Sequence, residues 1–176
     1  MKKRSVFLIV LLVLFGIGIG AFLFFPKSID SAISRIGSPF AVGELLATQQ
    51  LDKNFTAVIY TNKEEKDQLQ NAIIRKYGIF YDVIDKNGSI EIEQPKELES
   101  GELRARVLIS WYGQGDRYFV IAAAYDNDVS TITYQNQELI PLNVNGYHLF
   151  YGYGVGENTR YELFDKNGNR LAHIKE

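Results

Sequence analysis

The chain has 176 residues, 46% of them hydrophobic and 13% aromatic, with 11 Tyr, 11 Phe, no Cys and a formal net charge of −2. The absence of cysteine excludes disulfides, thiolate metal sites, a cysteine nucleophile and a lipidated cysteine together. With Lys2, Lys3 and Arg4 set aside, 16 basic residues face 21 acidic ones, a balance near −5 that argues against nucleic acid or anionic lipid as the main partner.

Residues 6 to 25 carry no charge and no hydrogen-bonding side chain. As a helix rising 1.5 Å per residue, twenty such positions span about 30 Å, the thickness of a bilayer core. Lys2, Lys3 and Arg4 precede the run, so the positive-inside rule places the N-terminus in the cytoplasm and residues 27 to 176 across the membrane. The apolar run exceeds the roughly 7–15 residues of a secretory signal, and no good small-x-small site follows closely. The expectation is an uncleaved signal-anchor at the cell membrane. Secretion after cleavage before Arg35 is the alternative.

Three regions are expected: a basic tip and transmembrane segment over 1–26, a juxtamembrane stalk or short helix over 27–42, and an extracytoplasmic β-rich domain over 43–176. In the second region Ile29, Ile33 and Ile36 fall at i, i+4 and i+7, with Ser28 at the N-cap position and Gly37 as a stop. A short amphipathic helix on the membrane surface or on the domain fits this pattern as well as a plain stalk does.

From Phe55 onward the pattern is that of strands, at 55–61, 103–112, 118–125, 130–134, 147–155 and 161–164. Turn residues separate them at 113–116, 126–128, 143–146 and 156–158. Connections of hairpin length leave no room for crossover helices. The fold class is therefore mainly β, an antiparallel meander that is sandwich-like or curled, behind an N-terminal transmembrane helix. Asp-Lys-Asn-Gly occurs at 85–88 and 165–168, and Asn-Gly between apolar runs is a hairpin signal. The first copy predicts a turn joining 79–84 to 89–93, the second a turn joining 161–164 to 170–174. Residues 68–77 are ambiguous: Leu69, Ala72, Ile73, Lys76 and Tyr77 keep helical spacing, yet the segment also serves as the return strand after the turn at 62–67.

The order Gly43-Glu-Leu-Leu46, Ala72-Ile-Ile74 with Lys76 and Gly78, Ser110-Trp111, Asp126 to Ile132, His148 to Tyr153 and Leu163 to Asn169 resembles uncharacterised membrane-anchored β-rich proteins of Bacillus and related Firmicutes. The resemblance covers residues 43 to 174 and rests on turn and core positions. It implies a β-rich ectodomain ending in a hairpin of the Asp-x-x-Gly type, and it turns residues 68–77 toward strand. It carries no catalytic residue.

No constellation in the chain spells out a reaction. His148 and His173 lack neighbours at metal-ligand spacing, and no Gly-x-Ser-x-Gly elbow is present. Tyr151-Gly-Tyr-Gly-Val-Gly156 ends in Glu-Asn-Thr rather than Gly-Lys-Ser/Thr and precedes a strand, so it does not read as a phosphate loop. Asp126, Asp128 and the two Asp-Lys-Asn-Gly segments read as turns rather than calcium loops. Glu97, Glu99 and Glu102 read as an acidic loop. No catalytic, cofactor-binding or metal residue is assigned and no cofactor is expected. The candidate binding surface is aromatic: Trp111, Tyr112, Tyr118, Tyr151 and Tyr153, although Trp111, the single Trp, is better suited to core packing. The functional expectation is a non-enzymatic module that binds a protein or a cell-envelope component, in contact with the membrane through residues 6–25 and with no nucleic-acid partner. The alternative is a sensor for a small molecule or sugar, or an envelope hydrolase, with Glu97, Glu99, Asp126 and Trp111 converging on one cleft.

Overall fold

The computed structural model describes residues 2–157 and 159–175. Helix α1 runs Lys2–Phe24 and helix α2 runs Ile29–Ile33. Among the described residues, twelve antiparallel strands form three four-stranded sheets. Sheet I has the order β1 (Val42–Gln50), β2 (Phe55–Asn62), β3 (Gln68–Tyr77), β4 (Phe80–Glu91). Sheet II has the order β5 (Ala105–Tyr112), β6 (Arg117–Ala124), β10 (Tyr147–Val155), β9 (Ile140–Val144). Sheet III has the order β12 (Arg170–Leu171), β11 (Tyr161–Phe164), β7 (Thr131–Tyr134), β8 (Gln137–Glu138).

Sheet II lies between the other two. One of its faces buries Phe119, Ile121, Ala123 and Leu149 against Ala57, Ile59, Leu69 and Ile73 of sheet I. The other buries Tyr118, Val120, Ala122 and Phe150 against Ile132, Tyr134 and Leu163 of sheet III. A strand covered on both faces loses its polar alternation, and β6 is buried from Tyr118 through Ala124. The antiparallel β content agrees with the sequence reading. The meander does not hold, because β7 and β8 leave for sheet III before β10 returns beside β6.

The same two-sided burial explains the ambiguity at 68–77, which is strand β3. Leu69, Asn71 and Ile73 face sheet II, while Ala72 and Ile74 face α2 and its flanks. Burial on both faces removes the period of two and leaves an apolar run that imitates helical spacing. Helix α2 begins on Ser28, whose hydroxyl accepts from the Ser31 N–H at 3.1 Å. Ala32, Ile33 and Ile36 are buried against Val58, Tyr60, Ala72 and Ile74, so this helix rests on the outer face of sheet I.

Among the described residues no helix is long and apolar enough to cross a membrane. The expected transmembrane signal-anchor over 6–25, the single-pass placement at the cell membrane and the extracytoplasmic domain are corrected on this ground, and nothing supports the secreted alternative either. The side chains of Lys2, Lys3 and Arg4, which carried the orientation, lie outside those described.

The first Asp-Lys-Asn-Gly is also a correction. Residues 85–88 stay within β4, where Asp85 pairs with Ile73 and Lys86 with Ala72. The chain reverses earlier, at a two-residue turn opening on Gly78, whose φ of +60° suits glycine in the first central position. The second copy does close a hairpin, between Phe164 and Arg170, but through a five-residue loop. A two-residue Asn-Gly turn occurs instead at Asn145 and Gly146, with φ of +53° and +81°, between Val144 and Tyr147.

Candidate functional site

The β1–β2 connection and the β5–β6 turn bring sheets I and II together at one end of the molecule. Asp52 organises the first. Its Oδ1 accepts from the backbone N–H of Asn54 at 2.7 Å and of Phe55 at 3.0 Å, an Asx turn that starts β2. Its Oδ2 accepts from the Arg117 guanidinium at the head of β6. The second loop turns on Gly113 and Gly115, at φ of +71° and +88°. The Asp116 carbonyl accepts from the Gly156 N–H at 3.0 Å, which ties in the end of β10.

These loops enclose an open cleft of about 490 Å³ lined by Asp52 to Phe55 on one side and by Gly113, Gln114, Asp116 and Arg117 on the other. The Phe55 ring forms its inner wall, packed on Tyr112 with centroids 5.2 Å apart, and the Arg75 guanidinium stands 5.7 Å from the Phe55 centroid. Tyr112 is buried. Burial pushes its hydroxyl above the ordinary value, and the negative charge of Asp52 adds to this. The Arg117 and Asp52 side chains are 42% and 30% exposed, so their pair contributes only about 0–1 kcal/mol to stability. Its consequence is positional: it fixes a cation and an anion at the mouth of an aromatic-walled cleft.

The five aromatic residues expected to share a surface divide between the two faces of sheet II. Tyr112 and Tyr151 face sheet I, and the Tyr151 hydroxyl meets Gln49 Oε1 of β1 at 3.3 Å. Trp111 and Tyr118 face sheet III, with ring centroids 6.2 Å apart, and Tyr118 packs on Tyr134 at 4.7 Å. Tyr153 is 38% exposed and pairs with Phe119 on β6. Tyr112, beneath the cleft, is the member joined to it, through Phe55.

Glu97, Glu99, Asp126 and Trp111 do not converge. Trp111 and Asp126 flank opposite ends of the β5–β6 hairpin, about 25 Å apart along the strand direction. Glu97 and Glu99 are exposed. Asp126 is buried and accepts from the Arg104 guanidinium; Asp128 lies 3.7 Å from Arg104, and Lys175 completes the group at 2.9 Å from Asp128 and 3.9 Å from Asp126. Arg104 N–H also donates to the His173 carbonyl, and Lys175 N–H to that of Glu102. This cluster clasps the C-terminal segment onto sheet II, and removing one member of such a buried pair costs about 3–5 kcal/mol. His173 stacks on Tyr161 at 4.4 Å. Among the described residues no three His, Asp or Glu side chains are grouped to hold a metal ion.

Asp52, Lys53, Asn54 and Arg117 were not legible as a site in the sequence. The signal available was Asp52-Lys-Asn54, which repeats the first three residues of the two Asp-Lys-Asn-Gly segments just before a strand. No family model, curated protein or solved structure matches the chain.

Proposed function

We propose that this chain is a non-enzymatic binding module that recognises a protein partner through the cleft between Asp52–Phe55 and Gly113–Arg117. The observation that carries this reading is the composition of that cleft. Charges of both signs, Lys53 and Arg117 with Asp52 and Asp116, ring an aromatic wall built from Phe55 over Tyr112. An arginine and an aromatic side chain inside a polar rim are what protein-binding hot spots are made of. Pockets for small molecules are mostly apolar and enclosing, whereas this one is open and polar.

The cleft's volume does fall in the range small ligands occupy, and this supports a sugar or small polar ligand as the second reading. The test places a photo-crosslinking residue at Gln114 or Lys53 in the full chain within cells. The adduct is identified, and the purified partner is then titrated against the parent chain and Arg117→Ala. Arg117→Ala weakening the partner at least tenfold, about 1.4 kcal/mol, is the expected result. Equal affinity for both chains, or crosslinks that are no more frequent at Gln114 than at the distant Lys66, overturns the proposal.

A further inference from the structure

A second cleft, of about 570 Å³, opens at the other end of the seam between sheets I and II. Sheet I contributes Glu44, Thr61, Asn62, Lys63 and Lys66, and sheet II contributes the turn at Asn145 and Tyr147. Along β1 this cleft lies up to about 30 Å from Asp52 and the first one. Its shape starts from an irregularity in β1. Between Val42 and Leu45 that strand carries one residue more than β2 has between Asn62 and Tyr60. The bulge presses Gly43 against β2, where a Cβ would stand 2.8 Å from the Asn62 carbonyl oxygen. It also moves the Glu44 N–H onto the Thr61 hydroxyl, at 3.0 Å. Bulges re-aim the side chains they carry, and this one sets Glu44 at the cleft.

The loop carrying the two lysines is held from beneath. Asn62, 4% exposed, accepts at Oδ1 from the N–H groups of Glu64 and Glu65 at 2.8 and 3.1 Å. Its Nδ2 donates to the Pro39 carbonyl at 2.6 Å and to Gln70 Oε1 at 3.2 Å. The Lys63 N–H donates to the Ala41 carbonyl at 2.8 Å. Glu64 and Glu65 lie outside the lining, so the cleft itself has two ammonium groups and one carboxylate. Among the described residues none of these three charges has an opposite charge within 4.0 Å. In the first cleft, by contrast, Arg117 is paired with Asp52.

We propose that the second cleft binds a sugar acid, a polyhydroxylated ring carrying one carboxylate. The floor decides against a protein side chain. It is polar, made of the buried Thr61 and Asn62, where the first cleft has Phe55 over Tyr112. A hydroxyl-rich ligand can bond the Thr61 hydroxyl, the Asn145 amide and the Glu44 carboxylate, while the half-buried Tyr147 offers a ring at the wall. Lys63 and Lys66 take the ligand's acid group. A lining charge of +1 suits a carboxylate better than a phosphate ester, which carries nearly two negative charges. The volume is within the range small ligands occupy.

The test is an amide NMR titration of the full chain with glucuronate, glucose, glucose 6-phosphate and acetate at equal ionic strength. Saturable shifts with glucuronate at Glu44, Lys63 and Asn145, with Gly113 and Gly115 unmoved, are the expected result. Glucose and acetate should bind at least roughly tenfold more weakly, and so should glucuronate to the Lys63→Ala/Lys66→Ala variant. Both lysines are exposed, so that variant should otherwise keep the parent spectrum. No saturable shift with glucuronate overturns the site. Equal binding of glucose removes the role of the lysines, and equal binding of acetate reduces the site to a general anion contact. Tighter binding of glucose 6-phosphate overturns the choice of a carboxylate.

Discussion

Asp-Lys-Asn-Gly at 85–88 and at 165–168 has one local chemistry and two outcomes. At 165–168 the Asp165 Oδ1 accepts from the N–H groups of Asn167 and Asn169, each at 2.8 Å, and Oδ2 accepts from Asn169 Nδ2 at 2.9 Å. The segment is a self-contained loop in solvent. At 85–88 the same residues lie opposite Ile73, Ala72 and Asn71 as part of a twelve-residue strand. What differs is the flank. Ile90 and Ile92 follow the first copy at spacing two, and both are buried in the core between sheets I and II. Burying two isoleucines contributes roughly 1.5–3 kcal/mol each, more than the few hydrogen bonds of an exposed turn at about 0.5–1.5 kcal/mol apiece. Turn chemistry decides a segment only where no neighbouring strand has a larger claim on it.

The largest expected effect tests that ordering. Ile90→Ala should cost about 2–5 kcal/mol, as truncation of a fully packed aliphatic side chain does. Leu171→Ala, on the half-buried partner strand of the second copy, should cost less, about 1–2 kcal/mol. Urea unfolding monitored by circular dichroism measures both. Equal losses would mean that core packing does not separate the two copies.

A middle-sized effect comes from the glycines. Gly88 and Gly168 both have positive φ, +46° and +81°, where a Cβ costs roughly 1–2 kcal/mol. A Cβ at Gly88 would also stand 2.8 Å from the Leu108 Cδ1 of β5, while at Gly168 nothing lies within 4 Å. Gly168→Ala is expected to lose about 1 kcal/mol, and Gly88→Ala about 1 kcal/mol more because Leu108 must move. The same denaturation curves give the difference, and no difference would place β5 farther from β4 than the structure has it.

These contrasts also show what could be read from the residues alone. The strands at 55–61 and 147–155 were legible because β-branched and aromatic residues cluster between turn residues. The layering was not, because Val58 and Ile59 or Ala122 and Ala123 look alike in sequence and differ only in which sheet covers them. Residues 85–88 were misread because the period of Ile90 and Ile92 was given less weight than Asn-Gly. Beneath the cleft, Tyr112 was among the aromatic residues named, whereas Phe55 and the charged residues that line the cleft were missed. Asp52 repeats the local device of Asp165, an aspartate accepting from the N–H groups just after it, but its ion pair joins positions 65 residues apart. Such a pairing follows from the stacking of sheets I and II and from nothing near Asp52 in the chain.

The smallest expected effect is also the sharpest contrast, because the two aspartates move in opposite directions. Burial raises the carboxyl of Asp85, while the side-chain and backbone bonds from Asn169 hold that of Asp165 below its ordinary value. A depressed carboxyl contributes stability above the unfolded value and loses it as pH falls through the folded one. Asp165→Ala should therefore lower the urea midpoint slightly at pH 7, and this deficit should vanish in acid. The effect is small because the loop is exposed and solvent replaces the lost bonds. Asp85→Asn has the reverse profile, with its largest gain at neutral pH and none in acid. Midpoints of the parent and both variants across the acid range would separate the two copies by sign alone. Profiles that run in the same direction would show that both carboxylates experience one kind of environment, and the distinction between a loop held by its own bonds and a strand held by its neighbours would fail.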